Sequence, residues 1–260
     1  NETGKNRKTR VNIILYILAA VRAIIVFTSM AVFILAYGIS CIVVPHTKTR
    51  ALNLRENFLK YITIPIFNIH IIKTGNPHAE PGLYVCNHRS FTDPMVICRY
   101  LKGFVIAKAE VAGYPIINKG AELTGVIWVD RNDQSSRTAT RDKMVETIQA
   151  GYNVIVFPEG TVGTHKTTLP FKKGTFLEAA ENNIPVTPIA LEFRSPKDLW
   201  IKEKFVPQYF YQYSKWKTEV KIHFGDPISH HDGLYLHSHT QKWIDEQILI
   251  MQQDWSNAFD

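Results

Sequence analysis

Leu83-Tyr84-Val85-Cys86-Asn87-His88-Arg89-Ser90-Phe91-Thr92-Asp93-Pro94 sets a short apolar run against a polar turn and then a proline-led helical pattern. Four apolar residues bounded by a polar cluster read as a strand, and Pro94 to Leu101 reads as a helix. The stretch is therefore a strand-loop-helix unit, the building block of an α/β fold. Loops at such junctions carry functional groups on a rigid scaffold, and this one carries His88 with Asp93 five residues further on. A histidine that takes a proton from a hydroxyl becomes positive, and a carboxylate on its other ring nitrogen fixes the tautomer and stabilises the imidazolium. Two parts of a nucleophile-base-acid triad are thus present. No Gly-x-Ser-x-Gly occurs in the chain, so the activated hydroxyl is expected to belong to a substrate. A structural role is compatible with this one: Asp93 also suits a helix N-cap, with Pro94 at the first helical position.

Outward from this unit, short β-rich runs alternate with helical patterns from Ile69 onward. Strands are predicted at Ile69–Lys73, Leu83–Cys86, Phe104–Ala107, Val126–Val129, Val154–Phe157, Val186–Leu191 and Val220–Phe224. Helices are predicted at Pro94–Leu101, Ser136–Ala150 and Thr175–Asn182, with a helical stripe of Trp243, Ile248, Met251, Trp255 and Phe259 that reads as packing. This alternation predicts an α/β class with a mostly parallel central sheet flanked by helices. There is no internal repeat and no low-complexity linker.

Toward the N-terminus, Lys5, Arg7, Lys8 and Arg10 precede an apolar run from Val11 to Val44 whose only charge is Arg22. The 22 uncharged residues of Ala23–Val44 match the roughly 20 that span a hydrocarbon core. A signal peptide has an apolar region of only about 7 to 15 residues, and Gly38-Ile39-Ser40-Cys41 lacks the leucine of a lipoprotein site, so the segment is expected to be retained. Asn1-Glu2-Thr3-Gly4, which do not open on methionine, are expected either to follow a processing step or to be foreign to the protein, and carry no structural expectation. Beyond Pro45, Thr47–Ile62 reads as a basic amphipathic helix, with Ala51, Leu52, Phe58, Leu59 and Ile62 on one side and Lys48, Arg50, Arg55 and Lys60 among the rest. It either lies in the headgroup region or packs on a core, and adjacency to the apolar run favours the membrane. The expected organisation is a basic flank (1–10), a membrane-embedded helical module of two helices (11–65) and an α/β domain (66–260).

A chain of 260 residues with 45% hydrophobic content can bury a sizeable core. Its net charge of +7 favours anionic partners. Zinc-finger spacing and Lys/Arg blocks interleaved with aromatics are both missing, which sets nucleic acid aside in favour of membrane. Three cysteines without Cys-x-x-Cys fit a reduced, cytosol-facing domain, and the basic flank places the N-terminus on the cytoplasmic side.

Three more stretches are assigned to strand-to-loop junctions, where ligands bind in open α/β sheets: Gly125–Arg131, Phe157–Thr161 and Ile184–Pro188. Arg131 offers a planar fork to a phosphate or carboxylate. Glu159 sits in a Pro-Glu-Gly-Thr turn in which Gly160 lets backbone N–H groups approach a ligand or an oxyanion. Taken in order, these four blocks resemble the glycerolipid acyltransferase family (PlsC-type 1-acyl-sn-glycerol-3-phosphate acyltransferases). Its Asn-His-x-x-x-x-Asp is Asn87–Asp93 here; its second block is Gly125–Arg131, with Lys108 and Tyr114-Pro115 upstream; its third and fourth are Phe157–Thr161 and Ile184–Pro188.

The resemblance implies His88 as general base and Asp93 as its orienting carboxylate. A lysolipid hydroxyl deprotonated by His88 would attack an acyl thioester, either acyl-CoA or acyl-acyl-carrier protein, without an acyl-enzyme and without a metal or resident cofactor. Arg131 would hold the acceptor phosphate, and Glu159, Gly160 and Thr161 would shape the acceptor site, with Asn87 and Lys108 also among the substrate-binding residues. It further implies a membrane location with the catalytic domain on the cytoplasmic face, as in a bacterial inner membrane. One departure bears on the acceptor. Family members that form phosphatidic acid carry an arginine after the threonine of block three, whereas here Val162-Gly163 and a Thr-rich run to Leu169-Pro170-Phe171-Lys172 follow Thr161. That continuation is similar to members that acylate lyso-ornithine or lyso-glycine lipids, and Lys166, Lys172 or Lys173 could replace the cation. Lysophosphatidic acid is the expected acceptor and a lyso-aminolipid the alternative. A non-catalytic membrane-binding protein is the alternative of another class. His230, His231, His237 and His239 lack ligand spacing and are read as a solvated loop, not a metal site.

Overall fold

In the computed structural model, residues 2–108, 125–130 and 133–255 are described, with side chains from residue 12 onward. All seven predicted strands form: β1 (Ile69–Thr74), β2 (Leu83–Cys86), β3 (Gly103–Lys108), β4 (Val126–Val129), β5 (Asn153–Val156), β6 (Val186–Phe193) and β7 (Thr218–Phe224). They make one sheet in the order β1-β7-β6-β2-β5-β3-β4. Neighbours run parallel except β6 and β7, so β1 and β7 run against the other five. The central strand β2 is buried throughout, as its unbroken apolar run requires of a strand covered on both faces.

Alternation along β2 divides the core in two. Tyr84 and Cys86 join Val96, Ile97, Tyr209 and Tyr213 on one face, while Leu83 and Val85 join Met144, Ile148, Phe176, Ile244 and Ile248 on the other. The first face is covered by α4 (Asp93–Cys98) and α7 (Phe205–Tyr213), the second by α5 (Gln134–Gln149), α6 (Gly174–Glu181) and α8 (Gly233–Gln253). Helix α7 has no counterpart in the sequence reading. Five of its nine residues are aromatic, a composition with no clear helical signature.

The N-terminal segment is one helix, α1 (Glu2–Val43). Its stretch Asn12–Val43 has a mean hydropathy of 2.4 and is long and apolar enough to cross a membrane. Ile13, Ile17, Ile24, Val32, Leu35, Ile39 and Ile42 are exposed along it. Arg22, the lone charge, is buried against the domain. It donates to the carbonyls of Tyr213, Lys215 and Trp216 at 3.3, 2.7 and 2.7 Å, satisfying groups that the end of a helix leaves open. Tyr209 Oη donates to Ala19 O at 2.8 Å, and Tyr16 stacks on Phe210.

The amphipathic segment resolves as α2 (Lys48–Phe58), a π-helical turn (Leu59–Thr63) and the short α3 (Ile64–Ile66). Its apolar side faces protein rather than the headgroup region. Ala51, Leu52 and Leu59 are buried, Phe58 meets Phe33 edge to face at 5.3 Å, and Lys48 lies over the rings of Phe104 and Tyr152. The core-packing alternative therefore describes this face.

Replacing Arg22 with Met removes the charged donor from three carbonyls. A hydrogen bond to a charged group contributes about 1.5–3 kcal/mol, and these share one guanidinium, so a loss of roughly 2–4 kcal/mol is expected. Denaturant unfolding of the detergent-solubilised variant measures it, and an unchanged midpoint would contradict the anchoring role.

Candidate active site

Strand β2 runs parallel to β5 with Val85 opposite Val156, and to β6 with Cys86 opposite Ile189. The loops that begin at Asn87 and Phe157 therefore emerge side by side at the carboxyl ends of adjacent strands, where open α/β sheets place their ligands.

The backbone of the His88 loop is bonded at nearly every polar group. His88 N donates to Glu159 Oε1 at 2.7 Å and His88 O accepts from Gly163 N at 2.8 Å. Arg89 N and Ser90 N donate to Asp93 Oδ2 at 2.6 and 2.8 Å, Arg89 O accepts from Trp200 N at 2.9 Å, and Thr92 N donates to Ser90 Oγ at 3.2 Å. Asp93 is therefore not the N-cap. The helix begins at Asp93 itself with Thr92 in the cap position, because the carboxylate is turned back into the loop.

The same oxygen, Asp93 Oδ2, accepts from His88 Nδ1 at 2.7 Å. Nδ1 thus carries the proton and Nε2 is left as the basic nitrogen. One face of the imidazole stacks on Phe157, with centroids 4.3 Å apart. The His88 side chain retains 19% exposure while Asp93 has none, so the base reaches its surroundings and its partner does not. Burial pushes the neighbouring Cys86 thiol well up, and the Asp93 and Glu159 charges add to this. It lacks the electropositive, partly exposed setting of a nucleophilic thiolate.

Several residues expected to touch substrate belong to the scaffold. Asn87 is buried and spends both ends of its amide on the Leu191 backbone, at 2.8 Å each, clamping β2 to β6. Glu159 is 6% exposed, and its second oxygen accepts from Leu169 N at 2.7 Å. Burial pushes its carboxyl above the usual range, opposed by the Leu169 and His88 amides. It ties the His88 loop to the 160–169 loop. Gly160 adopts φ +73°, and its N–H donates to Phe157 O at 3.1 Å, which removes that N–H as an oxyanion donor. Thr161 is exposed, as is Lys172, whose Nζ lies 2.6 Å from where a Cβ on residue 160 would stand.

Lys108 ends β3 on the same side of the sheet as His88. Arg131 and Tyr114-Pro115 lie outside the described residues. Block four is a correction: Ile184–Pro188 enters β6 at the end opposite the His88 loop, since Val186 pairs with Leu83. Pro185 O accepts from Leu83 N at 3.0 Å, a sheet-starting role. In the tail, His237 bonds Phe171 O at 2.9 Å and His230 stacks on His231. Phe259 lies outside the described residues.

A buried ion pair went unforeseen. Arg89, 1% exposed, reaches Glu192 Oε2 at 2.9 Å and donates to Gly163 O and His165 O at 3.1 and 2.6 Å. Gln252 of α8 donates to Glu192 Oε2 and Lys166 O at 3.0 and 2.8 Å. Only the charge of Glu192 within the apolar strand β6 hinted at such a partner.

The model of the Acyltransferase family matches residues 68–192, which contain the His88 loop and its partners as far as Glu192 but not Trp200, α7 or α8. A 1-acyl-sn-glycerol-3-phosphate acyltransferase of Chlamydomonas reinhardtii is 30% identical over 67% of the chain and 56% of its own length. The chain is therefore similar to the PlsC-type acyltransferases. A lyso-ornithine lipid O-acyltransferase of Pseudomonas aeruginosa is 29% identical over 46% of each protein, and the chain spans about half the length of these curated relatives. The crystal structure of the 1-acyl-sn-glycerophosphate acyltransferase PlsC from Thermotoga maritima shares the fold, with a TM-score of 0.68 and 19% identity over 95% of this chain and 98% of that one.

Changing Glu159 to Gln leaves one of its two amide donors, on His88 or Leu169, facing an NH2 group. A buried unsatisfied donor costs about 1–3 kcal/mol. The variant is expected to unfold at correspondingly lower denaturant, and equal stability would return Glu159 to a substrate-facing role.

Proposed function

We propose that this acyltransferase moves a fatty acyl group from an acyl thioester to the free hydroxyl of a lysolipid, with 1-acylglycerol-3-phosphate as acceptor and phosphatidic acid as product. The observation that carries the reading is the His88 Nδ1–Asp93 Oδ2 bond of 2.7 Å on a half-buried imidazole. It leaves Nε2 as the atom able to take a proton. The acceptor O–H gives its proton to Nε2, the oxygen attacks the thioester carbonyl, and the C–S bond breaks as the imidazolium returns the proton to the leaving thiolate. Asp93 stabilises the imidazolium between the two transfers. No covalent enzyme intermediate is required.

The donor is acyl-CoA or acyl-acyl-carrier protein, both anionic and both suited to a chain of net charge +7. The exposed apolar flank of α1 supports a seat in the bilayer, with the acyltransferase domain on the cytoplasmic face of a bacterial inner membrane. Arg131 is the proposed phosphate ligand. A lyso-aminolipid acceptor is the second reading, favoured by Val162-Gly163 after Thr161 and by the similarity to the lyso-ornithine lipid enzyme.

Mass spectrometry of the lipid formed from an equimolar mixture of lysophosphatidic acid and lyso-ornithine lipid, with an acyl thioester, decides between the acceptors. His88→Ala is expected to cut transfer at least about a hundredfold with an unchanged unfolding profile, and turnover near wild type would sink the mechanism. Arg131→Ala is expected to raise KM for a phosphate-bearing acceptor about tenfold or more, the worth of a charge-assisted bond, and to spare the thioester donor. Equal losses for both substrates would make that arginine structural.

A further inference from the structure

Helix α7 lies outside the segment matched by the family model, yet its side chains bond directly to the catalytic loop. Its residues Gln208 and Gln212 are fully buried and one helical turn apart, so they share a face. A buried amide is costly unless hydrogen-bonded, and both are. Gln208 Oε1 accepts from Ile201 N and Lys202 N at 3.0 Å each, and Gln208 Nε2 donates to Leu199 O at 2.9 Å. That fixes the strap whose Trp200 N donates to Arg89 O.

Gln212 grips the catalytic loop directly. Its Oε1 accepts from Ser90 Oγ at 3.1 Å, and its Nε2 donates to Thr92 Oγ1 at 2.8 Å. Thr92 Oγ1 also shares a hydrogen bond of 2.9 Å with Tyr213 Oη, and Ser90 Oγ accepts from Thr92 N. Ser90, Thr92, Gln212 and Tyr213 are all fully buried. The backbone N–H of Ser90, the residue whose hydroxyl Gln212 holds, is one of the three donors on Asp93 Oδ2. Helix α7 is also held by α1, through Tyr209 Oη on Ala19 O and Arg22 on the carbonyls of Tyr213, Lys215 and Trp216.

We infer that Gln212 is a positioning residue for the acyl-transfer reaction: it holds the Ser90 and Thr92 hydroxyls so that the Ser90 amide stays aimed at the carboxylate that orients His88. The inference rests on the reading of His88 and Asp93 as the catalytic pair. Gln212 touches neither reacting group, so it acts on turnover and not on substrate binding. Through α7, the apolar helix α1 is coupled to the geometry of the base.

The test uses the full-length protein in detergent micelles with lysophosphatidic acid and an acyl thioester. Gln212→Met, near in shape but without the two bonds, is expected to lower kcat about tenfold to a hundredfold, the scale on which small misplacements act, and to leave KM for both substrates within about twofold. Thr92→Val is expected to behave alike, Thr92→Ser to stay near wild type, and the double variant Gln212→Met/Thr92→Val to be no slower than the slower single one, because the two changes break one network. The low-field Nδ1–H proton of His88, assigned by its absence in His88→Ala, supplies a readout independent of turnover. It should shift or broaden in Gln212→Met and Thr92→Val and persist in Thr92→Ser.

Folded variants with unchanged kcat and an unchanged resonance overturn the proposal, as does a loss confined to the KM of one substrate. If only one of the two variants folds, it carries the test alone; failure of both to fold assigns the network to stability and overturns the proposal as well. Should the wild-type protein transfer no acyl group to any lysolipid, the proposed function falls, while the resonance still decides whether Gln212 holds the His88–Asp93 geometry.

Discussion

One carboxylate oxygen, Asp93 Oδ2, gathers three donors: His88 Nδ1 and the backbone amides of Arg89 and Ser90, all within 2.8 Å. A fully buried carboxylate is tenable only with such partners, so the loop must fold around it. The turn from Asn87 to Asp93 takes its shape from this requirement, and the imidazole takes its tautomer. Neighbouring elements then complete the hydrogen bonding of the turn from outside, Glu159 from the loop after β5, Trp200 from the strap before α7, and Gln212 from α7 itself. Each of those bonds is made to another part of the protein, as a preorganised base needs.

A second constraint is the buried pair Arg89–Glu192. Removing two charges from water is expensive, and the cost is offset only if the remaining hydrogen-bonding capacity is used. Here the guanidinium also takes the carbonyls of Gly163 and His165, and the carboxylate also takes Gln252 Nε2 and the amide of Phe193. Burial still pushes Glu192 above the usual carboxylate range, with Arg89 opposing it. The result is a seam joining the His88 loop, the 161–168 loop and α8. Asp245 and Gln241 of α8 extend it, accepting from the backbone of Thr168 and Phe171. The Thr-rich continuation of block three is therefore pinned by the C-terminal helix.

Much of the sheet was legible because its signal is local. Each strand is a short β-rich run between turn residues, and each was found to within one or two residues at either end; β5 stops at Val156 because Phe157 leaves the sheet to stack on His88. The pair His88 and Asp93 was legible for a similar reason, since five residues of separation let one turn bring them together. Long-range partners were not. Asn87 and Glu159 carry the look of binding groups in sequence, yet the fold spends both on backbone: Asn87 on Leu191, 104 residues away, and Glu159 on His88 and Leu169, 71 and 10 residues away. Helix α7 was missed because its aromatic composition suits several conformations, and its two buried glutamines announce nothing until the catalytic loop is set beside them.

By itself the sequence determined the α/β class, the strand set, the apolar N-terminal helix and the histidine-carboxylate pair, all features written in periodicity or in spacing of a few residues. Only the tertiary structure decided which faces meet. It turned the amphipathic face of α2 onto protein, took Arg22 out of the exposed apolar run to close the end of α7, placed Ile184–Pro188 at the far end of the sheet, and made Asp93 the hub of a loop instead of a helix cap. The physical reason is common to all four. A buried polar or apolar group is satisfied by whatever partner the fold brings within about 3–4 Å, and the distance along the chain says nothing about which partner that will be.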